Sequence, residues 1–230
     1  MKSQFIKLLV FTFILTISKN SHAQNFILGI GDYINYANIN RTNSPTIEPY
    51  GNIKGSPYIL EEFEIGKIKL KDGKTYEGPL RYDIYANQFE FKTKEGEVYS
   101  IINPEKIEKI SLSKKQFVFI TDKAKSNTGN YCEVLVEGEY SLLVQHTVIL
   151  KDPVPAKPYV DAKPARFVTK DDKFYIKNEN SGLVEIKNKD VIVAIDPTRS
   201  ADISKYINGS KIKVSNKSDL IELMNFLNAN

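Results

Sequence analysis

From Tyr58 onward, short alternating apolar runs are separated by turn residues at close spacing, the pattern of an antiparallel sheet. Lys71-Asp72-Gly73-Lys74 predicts a turn between a run ending at Leu70 and one beginning at Thr75. The meander from Leu80 to Ile102 is the clearest piece. With Ala86-Asn87 as a two-residue turn, Ile84 faces Phe89 and Tyr82 faces Phe91. With Glu95-Gly96 as the next turn, Phe91 faces Ser100 and Phe89 faces Ile102. Both registers gather the apolar set on one face and leave Arg81, Asp83, Tyr85, Gln88, Glu90, Lys92, Tyr99 and Ile101 on the other.

Further strands are expected at Ile107 to Leu112, Gln116 to Thr121, Tyr131 to Glu137 and Tyr140 to Leu150, the last two joined at Gly138-Glu139. Residues 151–165 carry Pro153, Pro155, Pro158 and Pro164. Proline cannot donate to a sheet ladder, so this stretch reads as a connector and subdomain boundary. Beyond it come strands at Arg166 to Thr169 and Lys173 to Lys177 around a turn at Asp171-Asp172. A turn at Asn180-Ser181-Gly182 leads to a strand at Leu183 to Ile186. The period then becomes helical. Ser200 caps a helix running to about Asn208 and stopped by Gly209, and Ser215 caps a second with Leu220, Leu223, Met224 and Leu227 on one stripe.

The expected architecture is therefore mainly β with a C-terminal α+β part: an antiparallel sandwich or partly open barrel over residues 58–150, then the connector 151–165. A small α+β part over 166–230 ends in a helix pair covering a sheet edge or barrel mouth. Ahead of these lie residues 24–57, rich in Asn, Ile, Tyr, Gly and Pro and read as a loosely ordered lead-in. Residues 1–23 read as a secretory signal peptide, with Lys2 and Lys7, an apolar run from Leu8 to Ile17, and Ser21-His22-Ala23 as the cleavage signal. The run is about half of the ~20 apolar residues a spanning helix needs, so no transmembrane segment is expected after cleavage. Cleavage leaves 29 basic against 28 acidic residues, which gives no footprint for nucleic acid.

Composition narrows the chemistry further. After cleavage the chain has one cysteine, Cys132, and one histidine, His146. A Cys/His zinc centre needs three or four such ligands, and an intramolecular disulfide needs two cysteines. No metal or cofactor is expected. In the register set by a two-residue Gly138-Glu139 turn, Cys132 and His146 fall on opposite faces, against a nucleophilic dyad, whereas a three-residue loop would bring them together. Glu61-Glu62-Glu64 and Asp171-Asp172 are the densest carboxylate clusters, but sequence neighbours on a strand diverge, and they read as a solvated strand start and a turn. Gly51 to Gly55 lacks the remainder of a phosphate loop, and neither an EF-hand loop nor a nucleophile elbow is present.

Gly55-Ser56-Pro57-Tyr58, the run Leu80-Arg81-Tyr82-Asp83-Ile84-Tyr85, the stretch from Glu133 to Leu143 and the closing Asp219-Leu220-Ile221-Glu222-Leu223 resemble a group of uncharacterised exported proteins from Bacteroidota. The group has no assigned activity, so the resemblance implies export and transfers no functional residue.

What remains is a periplasmic or secreted binding module without catalytic residues, which engages an envelope protein or small ligand through its β domain over residues 58–150. Its candidate contact residues are Arg81, Tyr85, Lys92 and Tyr99, because tyrosine and arginine bury large area while keeping a polar tip. The plainer alternative for that face is a solvated surface laced by Arg81 to Glu90 and Lys92 to Asp83 pairs. Two other functions stay open. One is a carrier holding an apolar ligand inside a barrel lined by Tyr82, Ile84, Phe89 and Phe91. The other is a hydrolase using dispersed carboxylates.

Overall fold

A computed structural model describes the backbone of residues 36–38 and residues 50–229 apart from 52, 95, 102, 122–128, 160 and 179–181. Residues 1–23, expected to be a signal peptide, most of the lead-in, Ile102 and the first two residues of the Asn180-Ser181-Gly182 turn lie outside the described residues.

Among the described residues one open antiparallel sheet of eleven strands carries the fold: β1 Tyr36–Asn38, β2 Glu64–Leu70, β3 Thr75–Asp83, β4 Gln88–Lys92, β5 Val98–Ile101, β6 Ile107–Leu112, β7 Lys115–Thr121, β8 Gly129–Val136, β9 Ser141–Lys151, β10 Arg166–Asn178 and β11 Gly182–Glu185. Their spatial order is β1-β5-β4-β3-β2-β6-β7-β8-β9-β10-β11. Three helices follow: α1 Lys189–Ile195, α2 Ser200–Gly209 and α3 Lys217–Ala229. The β-rich fold with its closing helix pair is as expected, and no described helix is long and apolar enough to cross a membrane.

The first half of the sheet rolls over an interior of its own side chains. Leu80, Tyr82, Phe89, Phe91, Ile110 and Phe117 are all almost fully buried there. Rings from strands far apart in the sheet order meet across that interior: Phe89 lies 5.3 Å from Phe117 and 4.9 Å from Tyr131. The roll is fastened by the β3–β4 turn, where the Asn87 amide donates to the Gly129 carbonyl (2.9 Å) and accepts from the Tyr131 N–H (3.0 Å) at the start of β8. The result is a partly open barrel.

The second half is covered by helices instead. Ile192, Ile203, Ile207, Leu220, Leu223 and Leu227 pack on Leu142, Val144, Phe174 and Ile176, on the same face of the sheet that lines the barrel. Asn188 caps α1 by accepting from the Val191 N–H (3.0 Å), and Asn216 caps α3 by accepting from Ser218 and Asp219 (2.9 and 3.2 Å). The expected caps Ser200 and Ser215 do not act as such: Ser200 is already the first residue of α2, and the side chain at its cap position, Arg199, makes no capping bond. Asn228 of α3 brackets the Tyr140 backbone, accepting from its N–H (2.9 Å) and donating to its carbonyl (3.0 Å). A Cβ at Gly138 would sit 2.7 Å from that same amide, which explains the glycine in this loop.

Three register expectations need correction. The β3–β4 turn has four residues rather than two, so Tyr82 faces Phe89 and Leu80 faces Phe91. This shift of two keeps every side chain on its expected face. Between β4 and β5 the shift is one: Phe91 faces Tyr99 and Glu90 faces Ser100, so Tyr99 and Ile101 move to the barrel side. Finally, Asp171-Asp172 is a bulge inside the single strand β10 rather than a turn, because pairing with β9 runs from Lys170↔Thr147 directly to Lys173↔Gln145.

Residues 151–165, expected to be a proline-rich connector, turn back on themselves. The strands on either side of it pair with each other, and Lys151↔Arg166 and Val154↔Lys163 continue the same register outwards. The stretch is a hairpin arm.

Candidate functional site

The four residues expected to share one face are dispersed. Arg81 and Lys92 lie on the outer side of the meander, Tyr85 sits in the β3–β4 turn, and Tyr99 lies on the barrel side. Arg81 is buried, donating through Nε and Nη2 to Glu90 Oε2 (3.0 and 2.8 Å), through Nη2 to the Tyr58 hydroxyl (3.1 Å) and through Nη1 to the Glu61 carbonyl (3.2 Å). Its guanidinium lies under the rings of Tyr58 (3.7 Å) and Phe63 (4.3 Å). Asp83 is buried as well and accepts from the Tyr50 hydroxyl (2.8 Å). The outer face of the meander is thus roofed by the chain around residues 57–63, and Arg81, Glu90 and Asp83 beneath it are held in internal bonds. Tyr99 stacks on Phe91 (5.6 Å) and donates to Glu97 (2.7 Å). Lys92 and Tyr85 remain exposed, and Tyr85 joins Tyr50 and Phe167 in an aromatic cluster at the base of the arm (6.1 and 5.2 Å).

Pattern reading missed a buried charge cluster at the seam between the two cores. Glu133 on β8 faces Phe117 of the barrel on one side and Val144 of the helix-covered half on the other. Its carboxylate accepts from Lys115 Nζ (2.7 Å), contacts His146 Nε2 (2.8 Å) and lies 3.7 Å from Lys217 Nζ at the start of α3. The other ring nitrogen of His146, Nδ1, lies 2.9 Å from Oδ1 of Asp172, which the β10 bulge aims at it. Carboxylates only accept, so both contacts are hydrogen bonds only when the imidazole carries two protons. Burial works against a charged imidazole, but Glu133 and Asp172 outweigh it and hold the His146 pKa above its usual value. Burial also acts against the Glu133 carboxylate, and the bonds from His146 and Lys115 overcome it, bringing its pKa down to about 2.

This cluster is a structural clamp without a nucleophile. Cys132 and His146 are on opposite faces of the sheet, as expected, and burial pushes the Cys132 thiol up to about 12. Since Glu133 and Asp172 meet different nitrogens of one imidazole, the three do not converge on a point, and no group of three or more His, Cys, Asp or Glu side chains among the described residues is placed to hold a metal ion. In the barrel interior the Tyr131 hydroxyl is buried and makes no hydrogen bond.

The arm is the most solvent-exposed part of the described chain. Every described residue from Lys151 to Pro164 is exposed, and Tyr159 at its end is wholly exposed with φ +65°. The two limbs are held by reciprocal backbone bonds between Val154 and Lys163 (2.8 and 2.9 Å). At about 3.3 Å per residue they reach roughly 20 Å beyond the last ladder pair. The arm's base is fixed by Lys54, which donates to the Ala165 carbonyl (3.2 Å) and accepts from the Phe167 N–H (2.8 Å). Gly55 allows this approach: it has φ +81°, and a Cβ there would lie 2.9 Å from the Phe167 carbonyl oxygen. Comparison of the chain with protein families, with curated proteins and with solved structures returned no match.

Proposed function

We propose that this chain is an exported, non-enzymatic binding module of the cell envelope that engages a protein partner through the arm between β9 and β10. The observation that carries the reading is the arm itself: a hairpin with every described limb residue exposed and a wholly exposed tyrosine at its end. A large ring left in water has no stabilising role within the chain, whereas at an interface it supplies contact area at small conformational cost. Two further observations support the reading. The barrel interior is filled by Tyr82, Phe89, Phe91 and Phe117, leaving those rings to pack on one another. Arg81, Asp83 and Glu90 of the meander are engaged in internal bonds.

The test is affinity capture from the envelope fraction with the full chain and with a variant whose residues 152–165 are replaced by Asn-Gly. The variant should fold with an unchanged urea midpoint and lose the partner. Equal capture by both proteins would refute the assignment to the arm.

A further inference from the structure

The distribution of prolines along the arm specifies the chemistry of what it meets. Val154 and Lys163 exchange both backbone bonds, so the positions flanking them turn their backbone groups away from the opposite limb. Pro153, Pro155 and Pro164 occupy three of these flanking positions. Proline has no N–H, so the 153–155 edge offers carbonyl oxygens and pyrrolidine rings without a donor and the 162–164 edge keeps only the Ala162 N–H, fewer donors than a neighbouring strand requires. Pairing of the arm with a sheet edge, in a partner or in a second copy, is therefore disfavoured. The same sites also carry a short repetition: Ala156-Lys157-Pro158 and Ala162-Lys163-Pro164 place an exposed lysine directly before a proline on each limb.

We infer that the arm inserts into an aromatic-lined groove of a partner protein, one whose tyrosine or tryptophan tips donate to the free carbonyls of the 153–155 and 162–164 edges and whose rim carboxylates meet Lys157 and Lys163. Rigid proline rings stack on aromatic faces with little entropy left to lose; grooves with donor-tipped rings recognise single proline-rich strands through these rings and outward carbonyls, the same groups that the paired limbs of the arm present on their edges. Tyr159, beyond Pro158, is the anchor. This inference rests on the binding reading above and adds the nature of the partner surface.

The experiment places a photo-activatable benzoylphenylalanine at position 159 of the full chain, exported in its own host, and maps the cross-linked partner residue by mass spectrometry. The expected result is a cross-link to one protein at a site bordered by aromatic and acidic side chains. Combined Lys157→Glu and Lys163→Glu substitution should lower the yield about tenfold, a change of about 1.4 kcal/mol in binding. The urea midpoint should stay unchanged, since both side chains are exposed. A cross-link to a protein site without aromatic residues, or a yield insensitive to the charge reversal, overturns the groove and leaves the binding reading standing. Cross-linking only to lipid, only to a second copy of this chain, or to no macromolecule overturns both.

Discussion

Replacing His146 by glutamine isolates the seam clamp, because glutamine keeps one donor and one acceptor but no charge. With two charge-assisted bonds to Glu133 and Asp172 at about 1.5–3 kcal/mol each, and one neutral bond of about 1 kcal/mol retained, the gross loss at pH 6 is about 2–5 kcal/mol. Asp172 is partly exposed and Lys115 continues to neutralise Glu133, so the net loss sits at the lower end, about 2–3 kcal/mol. The pH dependence is the sharper signature. His146 binds its proton more tightly folded than unfolded, so its contribution is complete below the unfolded value of 6.5 and disappears as pH rises through the higher folded value. Across that window wild-type stability should fall by up to about 1.4 kcal/mol per pH unit. Urea titrations between pH 6 and 8.5 are the assay, since burial of Cys132 and Tyr175 adds its own loss only at more alkaline pH. A flat wild-type profile, or a His146→Gln protein with the wild-type slope, would refute the clamp.

Four other outcomes follow from the packing. On the acid side, Glu133 contributes stability that is complete above its ordinary value of 4.5 and lost as pH falls toward about 2; Glu133→Gln should flatten the acid limb of a urea-midpoint profile. Arg81→Ala strands the buried Glu90 carboxylate and should lower stability by about 3–5 kcal/mol in equilibrium denaturation, far beyond the small effect of an exposed pair. Tyr131→Phe removes a buried hydroxyl that has no partner and should leave stability unchanged or raise it by up to about 1 kcal/mol in thermal denaturation; a clear loss would contradict an unpartnered hydroxyl. Leu223→Ala opens the helix-covered core and should cost about 2–5 kcal/mol, and a protease-resistant, soluble fragment lacking residues 200–230 would contradict the role given to the helices.

Much of this fold is legible along the chain, and the exceptions share a cause. Turn chemistry at Lys71 to Lys74 and the alternation from Ile107 to Leu112 fix strand ends because local residues decide them. Helical spacing from Leu220 to Leu227 does the same for α3. The four-residue β3–β4 turn is set instead by Asn87 reaching β8, a contact across 42 positions that no local pattern carries. The bulge at Asp171-Asp172 mimics a turn, since both need polar residues between apolar runs, and only pairing with His146 on β9 distinguishes them. Arg81 and Glu90 read as a surface pair because Tyr58 to Phe63, which the alternation assigns to the sheet, instead precede β2 and fold over the meander as a roof. Prolines hid the arm for a similar reason: they delete the ladder signal while sitting where the ladder has no need of their donors.

On the proposed reading the arm, rather than the barrel interior, holds the partner. The decisive comparison is native mass spectrometry of the full protein, purified gently from its own host, beside the variant trimmed at residues 152–165. A protein-sized added mass on the wild type and a bare trimmed variant is the predicted result. An added mass of a few hundred daltons carried equally by both would contradict it and return the site to the barrel.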